Sequence, residues 1–269
     1  MMHQRFVSDE KQRERYWGRS FLGWQTFSQS RPNVCHSSLA QLEHAGKVKG
    51  IITQNVDRLH QMAGSKRVLE LHGTTWEVIC LQPECDYRIG REEFQHTLLS
   101  MNPRMTEKQR LQQRQSFSTG ENELGEKEEI RNIRGLEETP GLTRPDGDVE
   151  VDLQEAFHYP FCPLCGPEGI LKPDVTFFGD NVCKQRKEKA FEMVRESDGL
   201  LVIGTSLMVF SAFRLATFAR DANIPIAVLN QGETRIDSFA STCKNKSGFI
   251  KHEAPIGQTM AKILKCMAV

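Results

Sequence analysis

The chain has 269 residues, equal numbers of acidic and basic side chains, and a formal net charge of zero. This length allows one large domain or a main domain with an appendage. The neutral balance offers no global basic field for nucleic acid or acidic lipid, and no apolar run reaches the roughly 18 residues of a membrane helix. The hydrophobic fraction of 38 % is somewhat low, so we expect part of the chain to be unpacked.

The first seventeen residues carry charges of both signs and lack the apolar segment of a secretory signal peptide. Three acids in this stretch, Asp9, Glu10 and Glu14, also argue against a mitochondrial transit peptide. Eight cysteines without a secretory signal favour a reducing compartment, where close cysteine pairs more often bind metal than form disulfides.

Polar side chains follow two short apolar segments in the first third of the chain. The pattern predicts helices over 1–34 (in part), 35–46 and 55–63, and strands over 47–53 and 67–72. Gln54, Asn55 and Asp57 come directly after the first strand, and His72 follows the second. Amides, a carboxylate and an imidazole at strand ends suit an α/β site that binds a polar cofactor and moves a proton.

Four cysteines form two close pairs, with Cys80 and Cys85 in the first and Cys162 and Cys165 in the second. Two close pairs on tight turns can complete a tetrahedron around one zinc ion, and four cysteine ligands make such an ion structural. Two unconnected free-thiol pairs are the alternative, but the flanking segments resemble short ribbon strands, which favours zinc. The stretch between the pairs, about 102–150, is polar and aperiodic, and we expect it to be disordered.

The second half alternates strands and helices. The pattern predicts a helix over 184–196, a strand over 199–203, a helix over 209–219 and a strand over 224–229. A turn, Gly204-Thr205-Ser206, follows the first strand, and Asn230-Gln231-Gly232 follows the second. Strand, turn, helix and strand in this order are typical of an α/β fold with a doubly wound parallel sheet.

Together these segments resemble the sirtuin family of NAD-dependent protein deacylases. The resemblance runs from about Arg13 onward and rests on Thr53-Gln54-Asn55-Val56-Asp57 with Leu59-His60, Glu70-Leu71-His72-Gly73, the cysteine pairs, residues 171–180 (LKPDVTFFGD), Gly204-Thr205-Ser206-Leu207 and Leu229-Asn230. Near the start, RYWGR and FLGW are similar to the class II, sirtuin-four-like branch, which implies the mitochondrial matrix.

The resemblance implies a Rossmann-like sheet that binds NAD, with an acylated protein lysine as the substrate. It makes His72 the general base for a ribose hydroxyl, and makes Asn55 and Asp57 the residues that hold the nicotinamide and its ribose. A lone histidine before a glycine is more often structural, but its place between the amides and the cysteines favours catalysis. Further cofactor contacts are implied for Gln54, Val56, Gly204, Thr205, Ser206, Asn230, Gln231, Gly232 and Ser247. An added strand of substrate is implied along Val175, Phe177, Phe178 and Gly179, although paired phenylalanines are more often core residues.

Sirtuins begin with a strand and a Gly-Ala-Gly-rich loop that cradles the pyrophosphate, and neither is found in these 269 residues. This difference suggests an N-terminally truncated gene model or splice form, or a genuine shortened product. We expect exposed apolar faces and two exposed strand edges where the strand would lie. We also expect the chain as written to bind NAD poorly and to turn over little or no substrate.

The expected organisation is a Rossmann-like domain from 1–73 and 167–269, with a zinc module at 74–166 that contains the insert. Beside the deacylase, two alternatives stay open: protein mono-ADP-ribosyl transfer from the same pocket, and a catalytically silent, zinc-stabilised binding fragment. A zinc-ribbon protein that binds nucleic acid is disfavoured by the zero net charge. We expect a monomer that binds neither nucleic acid nor membrane.

Overall fold

The computed structural model describes residues 1–105, 156–239 and 248–267. In chain order the elements are α1 (His3–Ser8), α2 (Glu10–Ser28), α3 (Val34–His44), β1 (Ile51–Thr53), α4 (Leu59–Met62), β2 (Val68–Glu70), β3 (Gly73–Cys80), β4 (Arg88–Gly90), α5 (Arg91–Met101), β5 (Leu171–Val175), α6 (Lys184–Arg195), β6 (Leu200–Ile203), α7 (Phe210–Asp221), β7 (Ile226–Leu229), β8 (Phe249–His252) and α8 (Ile256–Cys266). Most of the expected insert, from 106 onward, and Ser247 lie outside the described residues.

The chain divides into two compact units. The first unit comprises Met1–Gln29 and Thr75–Gly179, and the second comprises Ser30–Thr74 and Asp180–Val269. The sequence analysis places one boundary at nearly the same position, between 73 and 74. It groups residues 1–29 and 167–179 with the Rossmann-like domain, whereas in the structure both segments lie in the unit that holds the cysteines.

Aromatic side chains explain why the first helices belong to the first unit. Phe6 of α1 and Trp17 of α2 are completely buried, and the ring of Phe6 lies 5.3 Å from Tyr16 and 5.4 Å from Phe177. These rings share one core with Val78 of the three-stranded sheet, whose order is β4-β3-β5. Burying such large rings is a main source of stability, so the helices pack where this apolar surface is available.

Helices cover parallel strands from both sides in the second unit. Val202 of β6 and Val228 of β7 share a core with α6 and α7, whereas the next residues along these strands, Ile203 and Leu229, share a core with α3 and α8. Successive strand residues point to opposite faces, so the helices of these two cores lie on opposite sides of the sheet. The α/β, doubly wound parallel arrangement expected from the sequence is therefore confirmed.

The parallel strands form two sheets. β1 pairs with β2 in the register Ile51↔Val68, and β6, β7 and β8 form the other sheet in that order. Within the described ranges, β1 and β6 each have a partner strand on one side only. Leu201 of β6 is 42 % exposed, and Ile250 of β8 is 66 % exposed. Both residues are in register with the same residue of β7, which lies between the two strands. Within the described residues both sheets therefore have open strand edges, and the sheet of β6, β7 and β8 also exposes apolar side chains.

Across the described parts of the chain, no helix combines the length and apolar character needed to cross a membrane.

Candidate active site

Polar loops from three parallel strands come together in the second unit. Gln54, just after β1, donates a hydrogen bond from Nε2 to Oγ1 of Thr205, just after β6, at 3.0 Å. The carboxyl ends of parallel strands meet at the same edge of a sheet, which is where open α/β folds bind their ligands. This bond shows that the loops after the two separate sheets lie side by side, as the sequence analysis requires for a shared site.

The turn after β6 is held in an unusual backbone conformation. Gly204 has a φ of +62°, and Leu207 has a φ of +55°, which a branched side chain rarely adopts. The positive φ favours glycine at this position, and a Cβ on Gly204 would also lie 2.9 Å from Cδ1 of Ile256, whose side chain would have to shift. The Oγ1 of Thr205 accepts a hydrogen bond from the backbone N–H of Leu207 at 3.1 Å, which fixes the turn.

Asn55 and Asp57 are presented differently by the loop after β1. Asn55 is exposed, and its backbone N–H donates to Oγ1 of Thr53 at 3.1 Å. Asp57 is half-buried, and its Oδ1 accepts from the backbone N–H of Leu59 at 2.9 Å, which holds the turn that leads into the short helix α4. The amide of Asn55 therefore faces solvent, while one oxygen of Asp57 is engaged in holding the loop.

His72 is held between two groups directly after β2. Its Nε2 lies 2.8 Å from Oγ of Ser211, and the backbone carbonyl of Gln54 forms a second hydrogen bond with the ring. Burial lowers the pKa of His72 below its usual 6.5, and the Gln54 carbonyl raises it in partial opposition. The imidazole is consequently neutral at neutral pH and able to accept a proton.

Asn230 is buried at the end of β7, in contrast to the two residues that follow it. Its Nδ2 donates to the backbone carbonyls of Gln231 at 3.0 Å and of Gly232 at 3.3 Å. Gln231 and Gly232 are exposed, and Gly232 has a φ of +83°. The side chain of Asn230 therefore shapes a turn whose next two residues face solvent.

The proposed substrate segment lies in the first unit and contains one core residue. Phe177 is only 9 % exposed and packs in the aromatic core, whereas Phe178 is 70 % exposed. The backbone carbonyl of Phe178 accepts from the N–H of His3 at 2.9 Å, and its N–H donates to the carbonyl of Met1 at 3.3 Å. One edge of this segment is therefore already paired, with Met2 opposite Phe178 in a parallel bridge.

The four cysteine sulfurs converge in the first unit. All lie within 4.8 Å of one another, with Cys80–Cys165 and Cys85–Cys162 separations of 4.0 and 3.7 Å. A tetrahedral zinc ion about 2.3 Å from each sulfur would place them roughly 3.8 Å apart, so the geometry fits. A Cβ on Gly169 would lie 2.3 Å from Cβ of Cys162, which shows how tightly the backbone wraps this site. The four cysteines thus fit a single structural zinc ion, as expected.

Ser211 contacts His72 and is not among the residues that the sequence analysis singles out. It lies seven residues after Gly204, in a segment predicted only as a helix from its apolar spacing. The available signal was its position soon after the end of β6, because ligands in open α/β folds bind at the carboxyl ends of the strands.

Comparison with known proteins places these observations in a family. The model of the Sir2 family matches residues 1–211. The NAD-dependent protein deacylase Sirt4 of Drosophila melanogaster is 39 % identical over 98 % of this chain and 71 % of its own length. The NAD-dependent protein deacylase SRT2 of Arabidopsis thaliana is 41 % identical over 97 % of this chain and 63 % of its own length.

A solved structure described as Sir2 bound to acetylated peptide has the same fold. It aligns with a TM-score of 0.66 and 21 % identity, over 99 % of this chain and 82 % of the other.

Proposed function

The chain belongs to the Sir2 family, and we propose that it is an NAD-dependent protein-lysine deacylase that transfers the acyl group to ADP-ribose and releases nicotinamide. The observation that carries the proposal is the convergence of Gln54, His72 and Thr205 where the strands of the two parallel sheets end. The relatives named as deacylases support it, since each is about 40 % identical to nearly the whole chain.

The residues after β1 and β6 suit a nicotinamide nucleotide. We assign the exposed amide of Asn55 and the half-buried carboxylate of Asp57 to the nicotinamide and its ribose, with Gln54 and Val56 lining the pocket. The turn from Gly204 through Thr205 to Ser206 is small enough for backbone N–H groups to approach a phosphate or ribose. When bound, NAD would supply a ribose carbon that carries nicotinamide as its leaving group, and the acyl oxygen would take the place of nicotinamide on that carbon.

His72 is assigned as the general base, and Asn230 as the residue that shapes the adenosine side. The neutral imidazole can take a proton from a ribose hydroxyl and later return it. Asn230 orders the turn that presents Gln231 and Gly232, which we assign to the adenosine ribose. Ser247, assigned to adenine by the family resemblance, lies outside the described residues.

The acylated lysine is proposed to bind along Val175 to Gly179 as an added strand. The N–H and carbonyl of Phe178 already bond to Met1 and His3, respectively. Backbone groups of successive residues in an extended segment point to opposite sides, so we assign the substrate edge to Phe177 and Gly179. The buried side chain of Phe177 then supports this edge from the core and does not line the groove.

We further propose a monomer of the mitochondrial matrix that does not bind nucleic acid. The resemblance to the sirtuin-four-like branch supports the location, and the zero net charge supports the lack of nucleic-acid binding. Imaging of the tagged protein and sedimentation of the purified protein test the location and the oligomeric state.

An NAD titration followed by calorimetry tests the proposed cofactor. We expect weak but saturable binding, in line with the poor NAD binding expected from the sequence. Asn55→Ala should weaken it further by about tenfold or more, because losing one hydrogen bond to a bound ligand costs roughly 1.4 kcal/mol. The side chain of Asn55 is exposed, so its removal should leave the fold unchanged. Gln41→Ala, which removes an exposed amide from α3, is the matched control and should bind like the wild type. No saturable binding would support the silent fragment instead.

A further inference from the structure

One ring nitrogen of His72 has a defined partner: Nε2 lies 2.8 Å from Oγ of Ser211. The backbone of Gln54 also forms a hydrogen bond with the imidazole, which raises its pKa against the larger effect of burial. A backbone carbonyl can only accept, so we assign the proton of the neutral ring to Nδ1 and the lone pair to Nε2. With this assignment Nε2 is the basic nitrogen, and its partner within the described residues is the hydroxyl of Ser211.

Ser211 is placed by a well-packed helix. It is the second residue of α7, and the residues behind it, Ala212, Leu215, Ala216 and Ala219, are at most 7 % exposed. These side chains share the core with β6 and β7, so the helix cannot shift without opening that core. The half-buried Ser211 hydroxyl is thus presented to His72 from a rigid support.

We propose that Ser211 is a positioning residue for His72, which orients the ring and stabilises both of its protonation states. A serine hydroxyl can donate to the lone pair of neutral Nε2 and, after rotation, accept from Nε2–H of the imidazolium. An apolar side chain at this position could do neither. The inference rests on the proposed role of His72 as general base and adds a residue to the machinery that supports it.

The simpler alternative is that Ser211 is only a polar residue in the first turn of a helix. The two accounts differ in what removal of the hydroxyl does to His72. If Ser211 positions the ring, replacing it by alanine removes the oxygen that accepts a hydrogen bond from Nε2–H of the charged His72. Hydrogen bonds to a charged group are stronger than those to a neutral one, so the pKa of His72 should fall further. A purely local role in α7 leaves the imidazole unaffected.

Nitrogen-15 NMR of the histidine side chains tests this on the whole chain without added NAD. We expect Ser211→Ala to move the Nε2 resonance of His72, because its hydrogen bond is lost, and to lower the midpoint of its pH titration. Ser211→Thr keeps the hydroxyl and should restore both values. Thr217→Ala removes a hydroxyl from the same helix that bonds to the carbonyl of Phe213, and should change neither.

Turnover provides a second readout. We expect Ser211→Ala to lower kcat about tenfold with little change in the KM for NAD, since one hydrogen bond to a reacting group is lost. An unchanged Nε2 resonance and pKa in Ser211→Ala would overturn the inference. If that variant does not fold, Ser211→Cys, which keeps the size of the side chain but replaces the hydroxyl by a weakly bonding thiol, gives the same readouts. The two proposals can fail separately. If Ser211→Ala shows the expected NMR changes but the wild-type protein has no NAD-dependent turnover, the positioning role is supported and the proposed function is refuted.

Discussion

Replacing His72 by alanine is expected to lower the rate of NAD-dependent deacylation by about 10²–10⁴-fold, the usual contribution of a general base. The imidazole is half-buried, neutral and held by Ser211 and the Gln54 carbonyl, so its basic nitrogen is preorganised. Turnover of an acetyl-lysine peptide, followed by mass spectrometry, gives the ratio between the two proteins. The readout is the ratio of the two rates, because the sequence analysis expects little or no turnover in absolute terms.

The dependence of kcat/KM on pH should show that His72 acts in its neutral form. Burial lowers the pKa of His72 below 6.5, so the basic form predominates above that value and is lost as the pH falls through the lowered pKa. The acid limb of kcat/KM should therefore lie below pH 6.5. His44→Ala, which removes an exposed imidazole from α3, should behave like the wild type. A His72→Ala variant that keeps wild-type turnover would exclude His72 as the base.

Loss of the zinc site is expected to have the largest effect on stability. Cys162 is 1 % exposed and shares a core with Val78 and Phe94, so a missing ligand disturbs both the metal and the aromatic core. We expect Cys162→Ala to reduce the bound zinc from one ion per chain and to lower Tm by about 10 °C or more. That shift corresponds to the loss of several kcal/mol from a domain of this size, and structural zinc commonly contributes more.

An exposed cysteine provides the control for the zinc experiment. Cys183 is exposed and lies outside the four-cysteine cluster, so Cys183→Ala should keep both the zinc content and Tm. Metal analysis and thermal unfolding of both variants are the measurements. Full zinc content in Cys162→Ala, or an unchanged Tm after complete chelation, would show that this site does not hold a structural ion.

The regular elements of the second unit could be predicted because their periodicity is strong. The expected helix over 184–196 is observed as Lys184–Arg195, and the expected strand over 199–203 as Leu200–Ile203. The predicted strand over 47–53 is shorter, at Ile51–Thr53, because its early residues are not paired with β2. The sequence analysis does not predict helix α8 or strand β8, whose four residues include none that is fully buried.

The sequence analysis predicts the residues of the candidate site but not the contacts between them. Gln54, Asn55, Asp57 and His72 follow their strands as expected, since strand ends are visible in the sequence. The pairing of Phe178 with Met1 and His3, and the contact between His72 and Ser211, join residues far apart in the chain. Such contacts depend on tertiary packing, which a single sequence does not encode in any short pattern.

Product analysis tests the central proposal most directly. The purified protein is incubated with NAD and an acetyl-lysine peptide, and all products are identified by mass spectrometry. The account predicts equal amounts of nicotinamide, deacetylated peptide and acetylated ADP-ribose, all dependent on NAD and on His72. Nicotinamide release with ADP-ribose attached to protein, and with the acetyl group still on lysine, would contradict it and establish ADP-ribosyl transfer instead.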